Sequence, residues 1–204
     1  MDMERGLKEN SFVKNFSGSS LEVINPSEVN FDVEIKIIDI KSSGFDKIRK
    51  INQDLISKMP TNYLTVLVDY VFTFIESLSS TYPSIVGWGY DKVRNGLMNG
   101  TRSILLEWRD NKLVGVSVLK NDGVEKKICC LRIAKEYQNL GIGVRLFKRS
   151  FEELGTNTPL LSVSETVLPK FEKIFDHFGF VKTEAYPDKY VKGISEISFN
   201  GYLK

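Results

Sequence analysis

An apolar strand runs directly into an amphipathic helix at residues 131–151, LRIAKEYQNLGIGVRLFKRSF. A glycine inside a helix costs roughly 0.5–1 kcal/mol relative to alanine, so Gly141 and Gly143 indicate that the backbone comes close to another group there. The first N–H groups of a helix have no partner within the helix, and the helix dipole adds partial positive charge at the same end. The junction therefore predicts a phosphate-binding loop, which Gln138 caps or braces.

The spacing of these glycines differs from the two common nucleotide-binding patterns. A dinucleotide-binding fold has G-x-G-x-x-G after a strand, and a P-loop has G-K-[ST]. Neither pattern occurs in the sequence. The sequence therefore lacks the main motifs that would indicate hydride transfer or NTP hydrolysis.

The N-terminal part of the chain is predicted to contain one strand and several helices. Alternating apolar residues predict a strand in FDVEIKIIDI, residues 31–40, and apolar residues spaced by three, three and four predict a helix from Phe45 to Pro60. Residues 63–78 carry apolar side chains almost all round, which is typical of a helix that is deeply buried or forms an interface. A third, short helix is predicted over residues 90–98.

From residue 102 onward the pattern changes to short strands. A hairpin turn is predicted at RDNK, and a second reversal at NDG uses Gly123 for a positive φ. Gly155 is predicted to end the helix that follows the glycine junction. The predicted order is three antiparallel strands, a helix, a strand, a helix and two strands, in the segments SILLEW, LVGVSVLK, KKICCLRI, VRLFKRSFEEL, PLLSVSE, FEKIFDHF, GFVKTEAY and ISEISFNGYL.

Length and composition indicate a globular protein with one main domain. The chain has 204 residues, of which 42% are hydrophobic and 26% charged, and its net charge is only +2. We expect residues 1–30 to form an irregular extension and residues 31–204 to form a single domain. Within it, residues 31–100 supply the N-terminal strand and helices, and residues 101–204 the core.

Cysteine usage and the absence of an apolar leader predict a cytoplasmic protein. Cys129 and Cys130 are adjacent, and neighbours on a strand point to opposite faces, so they are poor disulfide partners. No basic and then apolar leader occurs in MDMERGLKENSF, and YLTVLVDYVFTFI is too short to span a bilayer. No metal-ligand spacing occurs either, so no metal is expected.

The glycine junction resembles the signature of a known superfamily. YQNLGIG is similar to [QR]-x-x-G-x-[GA], the signature of the GNAT superfamily of acetyl-CoA-dependent N-acyltransferases, and KIFDHFGFVKTE resembles the superfamily's late helix, turn and strand. The resemblance covers about residues 100–204. It implies an α/β (α+β) fold with a GNAT-like mixed, mostly antiparallel central sheet flanked by helices, here with a helical N-terminal elaboration.

The resemblance also implies the acyl donor and the residues that bind it. Acetyl-CoA would place its pyrophosphate on the glycine loop, its pantetheine arm along the end of the preceding strand, and its acyl group where that strand and LLSVSE separate. An amine would then attack the thioester carbonyl and take the acetyl or short acyl group. The implied cofactor-binding residues are Leu131, Ile133, Gln138, Asn139, Leu140, Gly141, Ile142, Gly143 and Val144.

The sequence departs from the family where many members carry a tyrosine that protonates the leaving thiolate. That position, four residues before the glycine of GF, is Phe175, which we interpret as a core residue. A thiol has a pKa of about 8.5 and can leave with little help. Alternatively, Tyr190, Tyr186 or Ser164 supplies the proton.

The general base and the acyl acceptor stay open at this stage. Glu107, Glu125 and Glu165 lie on elements that could face the acyl-binding region and are candidate bases, whereas His177, the only histidine, is interpreted as a surface residue. The acceptor is an amine of a small molecule, or an amine of a protein or of aminoacyl-tRNA if the protein is a toxin; nucleic acid is a partner only in the last case. A non-catalytic module that binds CoA or a partner is the third possibility, and a monomer or a homodimer is expected. A basic rim for tRNA would comprise Lys126, Lys127, Lys148, Arg149 and Lys182, and an aromatic acceptor wall Tyr82, Trp88 and Tyr90.

Overall fold

A computed structural model describes residues 44–204 of the chain. The predicted extension at residues 1–30 and the predicted strand at residues 31–40 lie outside the described residues. The strands are β1 (Lys50–Ile51), β2 (Arg102–Arg109), β3 (Lys112–Asn121), β4 (Lys126–Ile133), β5 (Leu160–Ser164), β6 (Lys182–Val191) and β7 (Ile194–Phe199). The helices are α1 (Gln53–Lys58), α2 (Thr61–Glu76), α3 (Ile85–Trp88), α4 (Asn95–Met98), α5 (Ile142–Leu154) and α6 (Glu172–Phe178). A π-helical segment (Gly89–Arg94) joins α3 to α4, and 3-10 turns lie at Phe45–Lys47, Lys135–Tyr137 and Leu168–Lys170.

The seven strands form one mixed sheet in the order β1-β2-β3-β4-β5-β7-β6. Within the described residues, β4 and β5 are the one parallel pair, and every other neighbouring pair is antiparallel. The prediction of a mixed, mostly antiparallel sheet flanked by helices is confirmed, and so is the predicted order of strands and helices after residue 102.

The turns use the residues that the sequence indicated. Asp110 and Asn111 both have positive φ, 48° and 59°, which matches the twist of a two-residue hairpin loop between β2 and β3. Gly123 has φ +85° between β3 and β4, and Gly155 has φ +60° at the end of α5.

Apolar side chains pack on both faces of the sheet. One set, the first core, joins α2 and the π-helical segment to sheet residues such as Ile104 and Leu106. The other, the second core, joins α5 and α6 to Leu105 and to residues of β5 and β7. The alternation of residues 104, 105 and 106 between the two cores is the period-2 pattern of a strand buried on both faces.

Helix α2 lies deep in the first core, as its apolar character predicted. Leu67, Val71 and Ile75 are at most 1% exposed. No helix among residues 44–204 is long and apolar enough to cross a membrane.

The helix predicted from Phe45 to Pro60 is wrong in its first half. Residues 45–47 form a 3-10 turn, and β1 then pairs with β2 through Ile51 and Ile104. The side chain of Asn52 accepts a hydrogen bond from the backbone N–H of Leu55 at 3.1 Å, so the helix starts only after it. The spacing of the isoleucines fits either structure, and pairing with the sheet decides between them.

Candidate functional site

The loop between β4 and α5 leaves open space beside its glycines. Gly141 is the N-cap of α5 with φ +76°, and Asn139 also has a positive φ of 61°. A Cβ atom at Gly141 would meet no atom within 4 Å, and one at Gly143 would meet only the Cδ1 atom of Ile174 at 3.9 Å. The backbone is therefore exposed at the two positions where the sequence predicted a close approach.

The first backbone N–H groups of α5 have no hydrogen-bond partner within the helix. The first hydrogen bond of the helix runs from the N–H of Arg145 to the carbonyl of Gly141 at 3.1 Å. Among the described residues, no side chain caps the helix N-terminus. Gln138 donates its Nε2 hydrogen to the carbonyl of Ile133 at 3.2 Å and so ties the loop to the end of β4. A helix start without a capping side chain can accept an anion.

Strands β4 and β5 separate toward their C-terminal ends, and the loop before α5 follows the C-terminal end of β4. Their parallel pairing covers only Lys127 with Leu160 and Ile128 with Leu161. From residue 129 on β4 and residue 162 on β5, the strands run without pairing in register. We call the gap between residues 129–133 and 162–164 the cleft. The β4 wall of the cleft leads directly into the loop before α5. An extended ligand can therefore lie in the cleft and reach the glycine loop.

A β-bulge lies in β4 at the start of the cleft. Val118 of β3 pairs with Cys130 whereas Leu119 pairs with Ile128, so Cys129 is the extra residue. Both cysteines consequently pack against the first core, and the expectation that they point to opposite faces is wrong. A bulge breaks the period-2 alternation on which that expectation rested.

Both cysteines are free thiols whose charged form is disfavoured. Burial raises the pKa of the Cys130 thiol to about 12. Burial also raises the pKa of Cys129, although a guanidinium nitrogen of Arg102 lies 3.1 Å from its sulfur. Neither thiol is therefore an activated nucleophile, which agrees with the core role predicted for them.

A buried carboxylate on β7, that of Glu196, lies opposite Ser164 at the end of β5. We call the group of Tyr82, Ser164, Tyr190 and Glu196 the Glu196 pocket. Glu196 is 4% exposed, and burial raises its pKa. The hydroxyl of Tyr82 lies 3.5 Å from Oε2 of Glu196 and accepts the backbone N–H of Ser164 at 3.0 Å. The ring of Tyr190 meets that of Tyr82 edge to face at 5.8 Å. Burial is also the main reason for the raised pKa of Tyr82, and it raises that of Tyr190.

The structure brings two of the four predicted catalytic residues into this pocket. They are Ser164, which is buried, and Tyr190, which is half exposed. Tyr186 pairs with Glu196 across β6 and β7, but its hydroxyl accepts the backbone N–H of Leu203 at 2.8 Å. Glu196 was not among the residues predicted from the sequence; the available signal was a glutamate inside the apolar and small-residue strand ISEISF.

The fourth candidate, Glu107, lies elsewhere and is engaged in a structural contact. Its carboxylate accepts hydrogen bonds from Arg149 at 2.7 Å and from Arg145 at 3.3 Å, both on α5. Arg149 also donates to the carbonyls of Leu106 and Arg49, at 3.0 and 2.8 Å. Arg149, which was assigned from the sequence to a basic rim, therefore donates its hydrogen bonds to groups of the protein itself.

Phe175 is a core residue, as interpreted from the sequence. It is 3% exposed and contacts the rings of Phe147, Phe180 and Phe199. His177 is exposed on α6. Among the described residues, no group of three or more potential metal ligands occurs.

Residues 84–200 match a family model described as an acetyltransferase (GNAT) domain. The match covers more than half of the chain and includes the glycine loop, the cleft and the Glu196 pocket apart from Tyr82. The chain therefore belongs to the GNAT acetyltransferase family.

The chain is also similar to solved structures that are distant from it in sequence. Aminoglycoside 6′-N-acetyltransferase complexed with coenzyme A is 17% identical over 68% of this chain and 93% of its own, with a TM-score of 0.48. A protein described as a GNAT-family acetyltransferase from Desulfovibrio desulfuricans is 16% identical over 57% and 80%, also with 0.48. A GNAT-family acetyltransferase from Elizabethkingia anophelis with acetyl-CoA bound is 15% identical over 53% and 80%, with 0.43. No curated protein matches the sequence significantly.

Proposed function

We propose that this GNAT acetyltransferase moves an acetyl or short acyl group from acyl-CoA to an amine by direct attack of the amine on the thioester. The observation that carries the proposal is the uncapped start of α5, with open space at Gly141 and Gly143 beside it. Acyl-CoA is a donor whose paired phosphates fit such a helix start. Family membership supports acetyl-CoA as the donor.

The glycine loop and the cleft would bind two different parts of this substrate. The N–H groups of Leu140 to Val144 would hold the pyrophosphate, with the loop fixed by Gln138 and shaped by Asn139. The backbone edge of β4 at Leu131 and Ile133, which has no strand partner in register on the β5 side, would bind the pantetheine arm. The thioester would then lie in the cleft, where one well-placed backbone N–H aimed at the carbonyl oxygen is worth roughly 10²–10³ in rate.

Acetyl-CoA is expected to stabilise the protein against heat, because it binds only the folded chain. A concentration of a hundred times Kd adds about 2.7 kcal/mol, and a domain of this size gains about 2–4 °C per kcal/mol. The melting temperature should therefore rise by about 5–10 °C in a thermal-shift measurement. S-acetylpantetheine, which lacks the diphosphate, is the matched control and should shift it far less. Equal shifts, or none with acetyl-CoA, would remove the proposal.

We further propose Tyr190 as the proton donor to the departing thiolate, because Phe175 cannot serve. Its hydroxyl stays protonated at neutral pH, since burial and the nearby Glu196 carboxylate raise its pKa. Tyr190→Phe should slow thiol release from acetyl-CoA about tenfold and leave the acetyl-CoA thermal shift intact. Phe175→Tyr should not restore the rate, because position 175 is enclosed by aromatic rings. Unchanged thiol release in Tyr190→Phe would exclude this role and leave unassisted departure.

A further inference from the structure

We propose that Glu196 is the general base of the reaction and takes the proton of the attacking amine through a single water molecule in the Glu196 pocket. The inference rests on the proposed acyl transfer and names a residue on β7 for the step that the sequence left open. Of the base candidates from the sequence, Glu125 accepts a hydrogen bond from Lys120 at 2.7 Å and Glu165 accepts one from the backbone N–H of Ser195 at 2.8 Å. Glu107 is a poor alternative too. Both of its oxygens already accept hydrogen bonds from guanidinium groups, of Arg145 and Arg149.

The geometry of the pocket suits one water between the carboxylate and the cleft. The cavity that Tyr82, Ser164, Tyr190 and Glu196 help to line has a volume of about 10 Å³. A single water needs roughly 10–15 Å³ and two to four polar partners. The carboxylate of Glu196 and the hydroxyl of Tyr82 are two such partners. A water held by these two groups can carry a proton from an amine in the cleft to Glu196.

The pocket adjoins the cleft on two sides. Ser164 is the last residue of β5, the strand that forms one wall of the cleft. On the other wall, Cys129 and Cys130 at the β4 bulge pack against the same core as Tyr82 of the pocket. An amine that attacks a thioester between β4 and β5 would therefore stand next to this water.

The charged and titratable groups around Glu196 leave its carboxylate basic but ionisable. Burial is the largest effect and raises its pKa. Hydrogen bonds from Ser162 on β5 and from Tyr82, together with the charge of Lys127 on β4, act in the opposite direction. On β6, Tyr190 is neutral at pH 7. A carboxylate with a raised pKa is a better base at neutral pH than an ordinary surface glutamate.

The amine nitrogen bonds to the thioester carbonyl carbon, and one proton leaves the nitrogen for Glu196 through the water. The C–S bond then breaks, sulfur leaves with the bonding electron pair, and it becomes the CoA thiol by taking a proton from Tyr190, which solvent protonates again. Acetyl-CoA and a primary amine thus give the N-acetyl amide and CoA, and Glu196 returns its proton to solvent.

The test follows thiol release from acetyl-CoA as a function of pH, with glycinamide as the acyl acceptor at a constant concentration of its neutral amine, so that protonation of the acceptor does not itself lower the rate. Wild type should show a rate that falls on the acidic side as Glu196 becomes protonated. Glu196→Gln should lose about a hundredfold in rate and lose that acidic limb, while its acetyl-CoA thermal shift stays equal to wild type. Glu184→Gln, which changes an exposed glutamate of β6, is the matched control and should behave as wild type.

A readout without substrate tests the burial of the carboxylate. Because the pKa of Glu196 is raised in the folded protein, ionisation destabilises the fold as pH rises from about its ordinary value of 4.5 through the folded-state value. Glutamine cannot ionise, so the melting temperature of Glu196→Gln should exceed that of wild type at pH 8, and the difference should close toward pH 4. A difference that does not change with pH would contradict the inference.

A second variant covers the case in which Glu196→Gln fails to fold. Tyr82→Phe removes a hydrogen bond that lowers the pKa of Glu196, so the acidic limb should move to higher pH with the KM for acetyl-CoA unchanged. An unmoved limb, or Glu196→Gln within threefold of wild type, would overturn the inference. Wild type that gains the acetyl-CoA thermal shift and releases no thiol would overturn it as well. Wild type without the shift would instead remove the acyl-transfer proposal on which it rests.

Discussion

Gly141→Asp should weaken acetyl-CoA binding at least a hundredfold while the protein remains folded. Position 141 has φ +76°, and aspartate is one of the few residues with a side chain that adopt this region at modest cost. Its side chain would enter the space that the backbone leaves open, since no atom lies within 4 Å of a Cβ there. The added carboxylate would both fill the place of a phosphate and repel it. Titration calorimetry with acetyl-CoA measures the loss.

Two matched variants separate this effect from backbone strain. Gly123 has φ +85° and equally open surroundings, but it lies in the turn between β3 and β4, away from the loop. Gly123→Asp should therefore share any loss of stability with Gly141→Asp and keep acetyl-CoA affinity. Gly143→Ala should stabilise α5 by up to about 1 kcal/mol through helix propensity, and keep binding because the family signature admits alanine there. Equal affinity for Gly141→Asp and Gly123→Asp would contradict a phosphate site at α5.

The parts of the site that are local in sequence could be predicted from it. A strand, two glycines and an amphipathic helix adjoin along the chain, so the uncapped start of α5 follows from their order. The aromatic stripe of α6 placed Phe175 in the core for the same reason. Turns at Asp110 and Gly123 depend on a residue's own backbone preferences and were equally accessible.

The parts of the site that depend on contacts between distant segments could not be predicted from the sequence. The Glu196 pocket exists because β7 inserts between β5 and β6 in the sheet, and because Tyr82, from a loop more than a hundred residues earlier, reaches across to it. The bulge at Cys129 depends on the register with β3, which alternation along β4 alone does not reveal. Likewise, β1 replaces a plausible helical turn because β2 offers it an edge. Sequence periodicity describes one element at a time, whereas these features belong to pairs.

The contact of Glu107 with α5 leads to the second large expected effect, on stability. The Glu107 side chain is only 8% exposed, whereas those of Arg149 and Arg145 are 24% and 42% exposed. Arg149→Met removes its closer partner and leaves a buried carboxylate with one longer, exposed contact. Breaking a buried pair from one side costs about 3–5 kcal/mol, and the partial exposure of Arg149 places this case near the lower figure. Urea unfolding should show a loss of about 3 kcal/mol in the free energy of unfolding.

The double variant distinguishes a structural Glu107 from a catalytic one. Replacing both members of a buried pair by apolar residues of similar volume is often neutral, so Glu107→Met combined with Arg149→Met should recover most of the loss. Arg145→Met, which removes the more exposed partner, should cost less than about 1 kcal/mol. If the role of Glu107 is only to bind α5 to β2, the folded double variant should release thiol from acetyl-CoA at the wild-type rate. A double variant that is stable and yet inactive would return the base to Glu107 and remove it from Glu196, because one deprotonation of the amine needs one acceptor.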